Sequence, residues 1–302
     1  MLRFLAVLAI VVPTALAAGP LTTTEVAPGI YAITGPFDQR SPENLGNNAT
    51  FGLVVTGEGA VLIDAGGSYR GAEALHQVIR GLTDQPVTHV INTGGQDHRW
   101  IGNSYWQAQG ATVIASEEAV ADQQARASMQ MTVLDALIGE ALEGTEPSTA
   151  DVTFAGDYAL TLGGATLEIT HAGPAHTPGD SFVWLPGARV MFTGDIVYIG
   201  RILGVMEFSS SADWVTTFEA MAAHEPAHVV PGHGPVTDLA TATHDTYDYL
   251  VNLRARIAEH IDAGGDIMGA VEVDQSAFSY LENFDQLARR NAQEVFSQME
   301  WE

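Results

Sequence analysis

The chain has 302 residues, enough for one large α/β domain or two small ones with a substantial core. Its 46% hydrophobic content and mean hydropathy of +0.08 exclude a disordered chain. Against 37 acids stand 12 basic residues, all Arg, and the formal charge of −25 excludes nucleic acid and anionic membrane surfaces as partners. There is no Cys, so disulfides are excluded and any metal must be held by His, Asp, Glu or other non-thiolate groups.

In chain order, residues 1–17 read as a secretory signal peptide. Arg3 precedes an apolar stretch from Phe4 that breaks at Pro13, and Ala15-Leu16-Ala17 is a small-x-small cleavage signal. The stretch is too short and interrupted to span a bilayer. Its removal leaves 11 Arg against 37 acids, a charge of −26. The expectation is an exported protein, periplasmic or secreted, with no membrane contact after cleavage.

The rest alternates β and α signals. Val26–Ile33 reads as strand around a Pro28-Gly29 turn, and Thr50–Val55 with Ala60–Asp64 as a hairpin around Gly57-Glu58-Gly59. Ser68 caps a helix to about Leu82, with Ala72, Leu75, Val78, Ile79 and Leu82 on one face. Val87–Ile91 and Ala111–Ala115 are further strands. Ser116 opens a long helix with Glu117 and Glu118 in its first turn, where carboxylates suit the helix dipole. On it Met129, Val133, Leu134, Leu137, Ile138 and Leu142 form an apolar stripe expected to be core. Strands follow at Tyr158–Leu162, Ala165–Thr170, Ser181–Leu185 and Val190–Thr193, then a helix over Ser211–Ala223 and a short strand at His228–Val230. From about Leu239 the pattern is helical.

Two runs of strands, each followed by helices, predict an α/β fold: a four-layered αββα sandwich with sheet packed on sheet and helices outside. We expect one domain over residues 18–240, with a helical C-terminal region, 241–302, packed on it. Residues 276–302 could cover a cleft, form a homodimer contact or pack on the domain's own flank.

Five strand-to-loop junctions carry His or Asp in Gly-containing turns. They are Ile63-Asp64-Ala65-Gly66-Gly67, Gln96-Asp97-His98, His176-Thr177-Pro178-Gly179-Asp180, Phe192-Thr193-Gly194-Asp195 and Val230-Pro231-Gly232-His233-Gly234. Side chains at the ends of neighbouring strands converge on one rim of a sheet, and glycine permits the sharp turns there.

The order and wording of these motifs resemble the metallo-β-lactamase superfamily. AHTPGDSFVWLP is similar to its third-histidine motif, FTGDIVY to its bridging-aspartate motif, VVPGHG to its last-histidine motif and AVLIDAGG to its N-terminal aspartate turn. The resemblance implies the αββα fold, a metal site on one edge and hydrolysis by metal-activated water. The chain departs from the pattern at INTGGQDHRWIGN, where the family has His-x-His-x-Asp-His. Asn92-Thr93 and Gly102-Asn103 keep the frame, but Gly94 and Gln96 replace the first two histidines. In an ungapped register His98 falls on the aspartate and Arg99 on the final histidine. Shifted by one residue, Asp97-His98 occupies the Asp-His pair, and this register is favoured because it completes a ligand set.

The resemblance then implies one zinc ion at the family's second position, held by Asp97, His98, Asp195 and His233, with His176 alone surviving from the first set. A second ion would need Gln96 or other donors. Asp97 would orient water and take its proton, and His176 or Arg99 would steady the oxyanion. Asp64 is expected to orient a ligand or its loop, and Arg99 is either a substrate clamp or an ion-pair partner. The expected function is hydrolysis of an ester, thioester, lactone or lactam in a small-molecule substrate. The alternative is a weak or inactive small-molecule-binding protein on the same fold. The loops Gly35–Asn48 and Gly200–Ser211 would set substrate identity.

Overall fold

The computed structural model describes residues 21–302. The signal-peptide segment therefore lies outside the described residues. No helix among those described is long and apolar enough to cross a membrane.

The first sheet runs in chain order: β1 (Thr22–Ala27), β2 (Ile30–Thr34), β3 (Thr50–Thr56), β4 (Gly59–Ile63), β5 (Val87–Ile91), β6 (Thr112–Ser116) and β7 (Val152–Phe154). It is antiparallel from β1 to β4 and parallel from β4 to β7. The second has β8 (Asp157–Leu162), β9 (Ala165–Thr170), β10 (Phe182–Leu185), β11 (Val190–Phe192) and β12 (His228–Val230), with β12 parallel to β11. The centres of both sheets are covered on two faces, so β4, β10 and β11 are apolar or small throughout and buried at every position. Between the sheets lies a core that includes Val54, Val61, Ile91, Ile169, Val183 and Phe192. The four expected layers are present.

On the outer face of the first sheet lie α1 (Tyr69–Arg80), α2 (Asp97–Trp100), α3 (Asn103–Ala108) and α4 (Glu117–Ile138). On that of the second lie α5 (Ser211–Ala222), α6 (Leu239–Ala242), α7 (Asp248–Asp262), α8 (Ile267–Ala270) and α9 (Phe284–Met299). Ser68 and Ser116 cap α1 and α4 as expected, accepting from Gly71 N and Ala119 N. The C-terminal region packs over the second sheet: Phe278, Leu281, Ala292, Val295 and Phe296 share a core with Trp214 and Phe218 of α5 and with Phe182, Met191 and Val229 of the sheet.

The stripe expected on α4 is only partly core. Met129 and Val133 are 46% and 44% exposed, while Gln123 and Gln130 are buried. The reason is local hydrogen bonding. Gln123 Nε2 donates to Gly94 O and Gln130 Nε2 to Gly95 O, while Gln130 Oε1 accepts from Trp100 Nε1. The carbonyls of the motif loop need donors, so α4 turns amides inward.

Candidate metal centre and cleft

The parallel strands deliver the motif residues to one rim. Asp64 follows β4, Asn92-Thr93 follows β5, Asp195 follows β11 and His233 follows β12. Asp64 adopts φ +70°, which Asp tolerates better than most residues. Its Oδ1 accepts Thr93 N and Oγ1, both at 2.8 Å, tying the first turn to the second. Gly194 sits at φ +50° against Thr93, where a Cβ would overlap the Thr93 hydroxyl. These contacts hold three motif turns in register.

One helical turn, α2, then sends three consecutive side chains in three directions, because successive residues lie about 100° apart around a helix axis. Asp97 faces Arg40, whose Nη2 donates to its Oδ1. His98 faces Asp195, Nε2 to Oδ2 3.2 Å. Arg99 turns inward and is completely buried. Its Nε and Nη2 grip both Asp195 oxygens at 3.1 and 2.7 Å, and its Nη1 reaches Asp64 Oδ2 at 2.7 Å. It also donates to the carbonyls of Thr50 and Gly232. Arg99 is thus an ion-pair partner that joins the two sheets, not a substrate clamp.

His98, Asp195 and His233 each offer a donor atom, all within 4.8 Å of one another and all buried. His233 Nε2 lies 3.2 Å from Asp195 Oδ1. Its Nδ1 lies 2.9 Å from the Asn48 carbonyl, which fixes that nitrogen as the donor and leaves Nε2 as acceptor. Asp97 lies outside this group. It approaches His98 at Nδ1, 3.2 Å away, the ring nitrogen opposite the one facing Asp195. The ligand group is therefore three residues rather than the four expected, with His98 in the place the ungapped register gives to the aspartate. Asp97 is placed to orient the His98 ring instead.

Electrostatics agree with these roles. Burial works to raise the Asp195 carboxyl, yet Arg99 and His98 hold it well below the ordinary value. Burial likewise opposes ionisation of Asp97, yet Arg40 and His98 keep it ionised. Burial lowers His233 and brings His176 down to about 4, so both rings are neutral at pH 7, the form that ligates metals and accepts protons.

The space for the first of the two missing histidines is filled. A Cβ on Gly94 would overlap the carboxylate of Asp180, and one on Gly95 would overlap that of Asp122. Asp180 is itself buried, with Thr177 N and Oγ1 donating to it, and burial pushes it up to about 8. Asp122 is held by Arg126 Nε at 2.7 Å. Gln96 remains at the cleft, its Nε2 on Asp97 Oδ1 at 3.2 Å and its Oε1 without a partner.

A cleft opens over the centre, and His98, His176 and His233 line its floor. His176 is outside the ligand group; its Nδ1 lies 2.9 Å from Gly204 O. Arg40, Arg201 and Arg290 line the walls. Sequence reasoning missed these arginines, although Arg40 and Arg201 belong to the two loops expected to set substrate identity. No motif marks them. Their one signal is that they are Arg in a chain poor in basic residues.

The chain matches the metallo-beta-lactamase superfamily model over residues 46–233. A segment of 90 residues is 31% identical to the beta-lactamase-like protein 2 homolog of Caenorhabditis elegans, 30% of this chain and 29% of that relative. Among solved structures, a metallo-beta-lactamase from Pontibacter korlensis superposes with a TM-score of 0.63 at 26% identity, over 77% of this chain and all of that one. The metallo-beta-lactamase FIM-1 from Pseudomonas aeruginosa, in its mono-zinc form, gives 0.59 at 21% identity, over 75% of this chain and 94% of its own, a likeness of fold. With the αββα layers, the ordered turns and the buried His-Asp-His group, these matches identify the chain as a member of the metallo-β-lactamase superfamily.

Proposed function

We propose that the protein is an exported hydrolase working with one zinc ion on an ester, thioester, lactone or lactam. The observation that carries this is the buried group of His98, Asp195 and His233 on the floor of an open cleft. The donors fit such an ion. His98 Nε2 stands 3.2 Å from Asp195 Oδ2 and His233 Nε2 3.2 Å from Oδ1, each close to the roughly 3.3 Å between ligands about 2.05 Å from a tetrahedral centre, so the two imidazoles meet the two different oxygens of the carboxylate. Three protein donors leave a fourth position open, as in catalytic zinc sites. Export rests on the sequence of residues 1–17.

Bound there, the ion would acidify water and polarise a carbonyl oxygen. The chain's own residues do the rest. Arg99 keeps Asp195 ionised and fixes both of its oxygens. Asp97 orients His98 from behind by accepting from its Nδ1, and Asn48 O does the same for His233. Asp97, ionised and occupied by Arg40, is a poor proton acceptor. His176 is neutral, and its Nδ1 donates to Gly204 O, which leaves Nε2 free to accept a hydrogen bond, while the burial that lowers it to about 4 makes it a weak base as well.

The test is metal analysis of the purified protein beside turnover of an ester, thioester, lactone and cephalosporin panel. About one equivalent of zinc is expected, with turnover reduced at least 100-fold in His233→Ala. Protein with no metal above background and no turnover would overturn the hydrolase reading in favour of a binding protein on this fold.

A further inference from the structure

Two groups of opposite kind meet the same ring nitrogen of His98. Asp97 Oδ1 stands 3.2 Å from Nδ1 as an acceptor, and Arg40 Nη2 stands 2.9 Å from it as a donor. They demand different tautomers. A neutral imidazole carries one ring proton. An Nδ1 that donates to Asp97 leaves Nε2 free to ligate, whereas an Nδ1 that accepts from Arg40 puts the proton on Nε2. A guanidinium offers donors only, so Arg40 cannot share Nδ1 with a proton.

The surroundings favour Arg40. Asp97 Oδ1 already accepts from Arg40 Nη2, from His98 N at 2.8 Å and from Gln96 Nε2 at 3.2 Å. A carboxylate oxygen has about two lone-pair sites, so little capacity is left for Nδ1–H. Across the ring, Nε2 lies 3.2 Å from Asp195 Oδ2, an acceptor that a proton on Nε2 satisfies. Arg40 is steadied in turn by Gln39 Oε1, which accepts from its N and Nη1 at 3.1 and 3.2 Å. His233 is held the opposite way, with Nδ1 donating to Asn48 O and Nε2 left as acceptor. Arg40 and Asn48 belong to one loop, between β2 and β3. That loop sets one ligand ring for a metal and turns the other against it.

We propose that Arg40 is a latch on the metal centre: seated on Asp97 and on His98 Nδ1, it holds His98 in the tautomer that cannot ligate, and it must let go of the ring before Nε2 can take a zinc ion. On release, Nε2 gives its proton to solvent, Nδ1 takes one from solvent and donates it to Asp97 Oδ1, and the ring's charge is unchanged. Arg40 keeps its ion pair through Asp97 Oδ2, which accepts from no donor among the described residues. Occupancy of the centre and the conformation of this wall of the cleft are therefore coupled, and the coupling is reciprocal. Arg40 is a positioning residue acting through His98. The latch rests on the metal-centre reading above.

Nitrogen-15 NMR of the histidine rings in full-length mature protein tests it, with His98 assigned by its absence from His98→Gln. After dialysis against EDTA, the His98 proton is expected on Nε2 in the parent and on Nδ1 in Arg40→Gln. Chelator competition should then show zinc bound about tenfold more tightly by Arg40→Gln than by the parent. Removing a positive charge tightens zinc binding without moving the ring proton, so tighter binding with an unchanged tautomer overturns the latch. Should Arg40→Gln fold poorly, the parent alone carries the test, because zinc should speed hydrogen exchange at the amides of residues 38–44 about threefold or more. A ring proton on Nδ1 in the zinc-free parent, or exchange in this loop unchanged by zinc, overturns the latch. Zinc held equally by parent and variant defeats the latch alone, whereas zinc held by neither defeats the metal centre and the latch with it.

Discussion

At the scale of the residue, the site is governed by what fills space around three consecutive side chains. Arg99 takes the inward direction because Asp64 and Asp195 await it there, and that choice fixes Asp97 and His98 to the other two. Gly94 is glycine because Asp180 occupies the volume a side chain would need. Restoring the family's histidine therefore should not restore a second ion. Gly94→His is expected to bind no more metal than the parent by elemental analysis and to lose about 2 kcal/mol of stability through overpacking. A second bound equivalent in this variant would show that Asp180 yields and that the site is merely vacated by sequence.

Elements matter through how they brace the loops. Loop residues 200–210 carry Arg201 and the Gly204 carbonyl that fixes His176, and α9 holds this loop through Asn291. Its Oδ1 accepts from Val205 N at 2.9 Å, and its Nδ2 donates to Leu203 O at 2.8 Å and Tyr249 Oη at 3.0 Å. Asn291 is fully buried, so Asn291→Leu leaves Val205 N and Leu203 O without partners, while Tyr249 Oη keeps Gln275 Oε1 at 2.8 Å. A loss of about 3 kcal/mol in urea unfolding is expected, together with faster hydrogen exchange at the Val205 amide. Unchanged exchange would mean that the loop is held by other contacts. The sequence showed α9 only as helical pattern after Leu239. Its bracing role was not legible, because a polar residue at a buried helical position looks the same in sequence as one facing water.

Across the whole molecule, burial decides the charge state of the cleft. His176 falls to about 4 from an ordinary 6.5, so the unfolded chain binds its proton first as pH drops. Its contribution is complete above pH 6.5 and is lost as pH falls towards 4. Asp180, raised to about 8, slopes the opposite way, its penalty growing as pH rises. Comparing the metal-free parent with His176→Gln cancels that term. The parent's stability relative to the variant should fall by about 3 kcal/mol between pH 7 and 4 in urea titrations. A constant difference would mean that the ring titrates normally and is not held neutral by the fold.

The amino-acid sequence by itself determined most of the strands, though not β7, together with the capped helices, the five Gly-containing turns and the exclusion of thiolate ligands. Each of these is local: a period of two or 3.6, a serine before a helix, a glycine at a tight turn. Only the tertiary structure decided that His98 rather than Asp97 joins Asp195 and His233, that Arg99 is buried between Asp64 and Asp195, and that Arg40, Arg201 and Arg290 meet at one cleft. Arg40 and Asp97 are 57 positions apart and Arg99 and Asp195 are 96. Where a side chain on a one-turn helix or a loop points depends on which distant partner is packed against it, and no spacing along the chain encodes that.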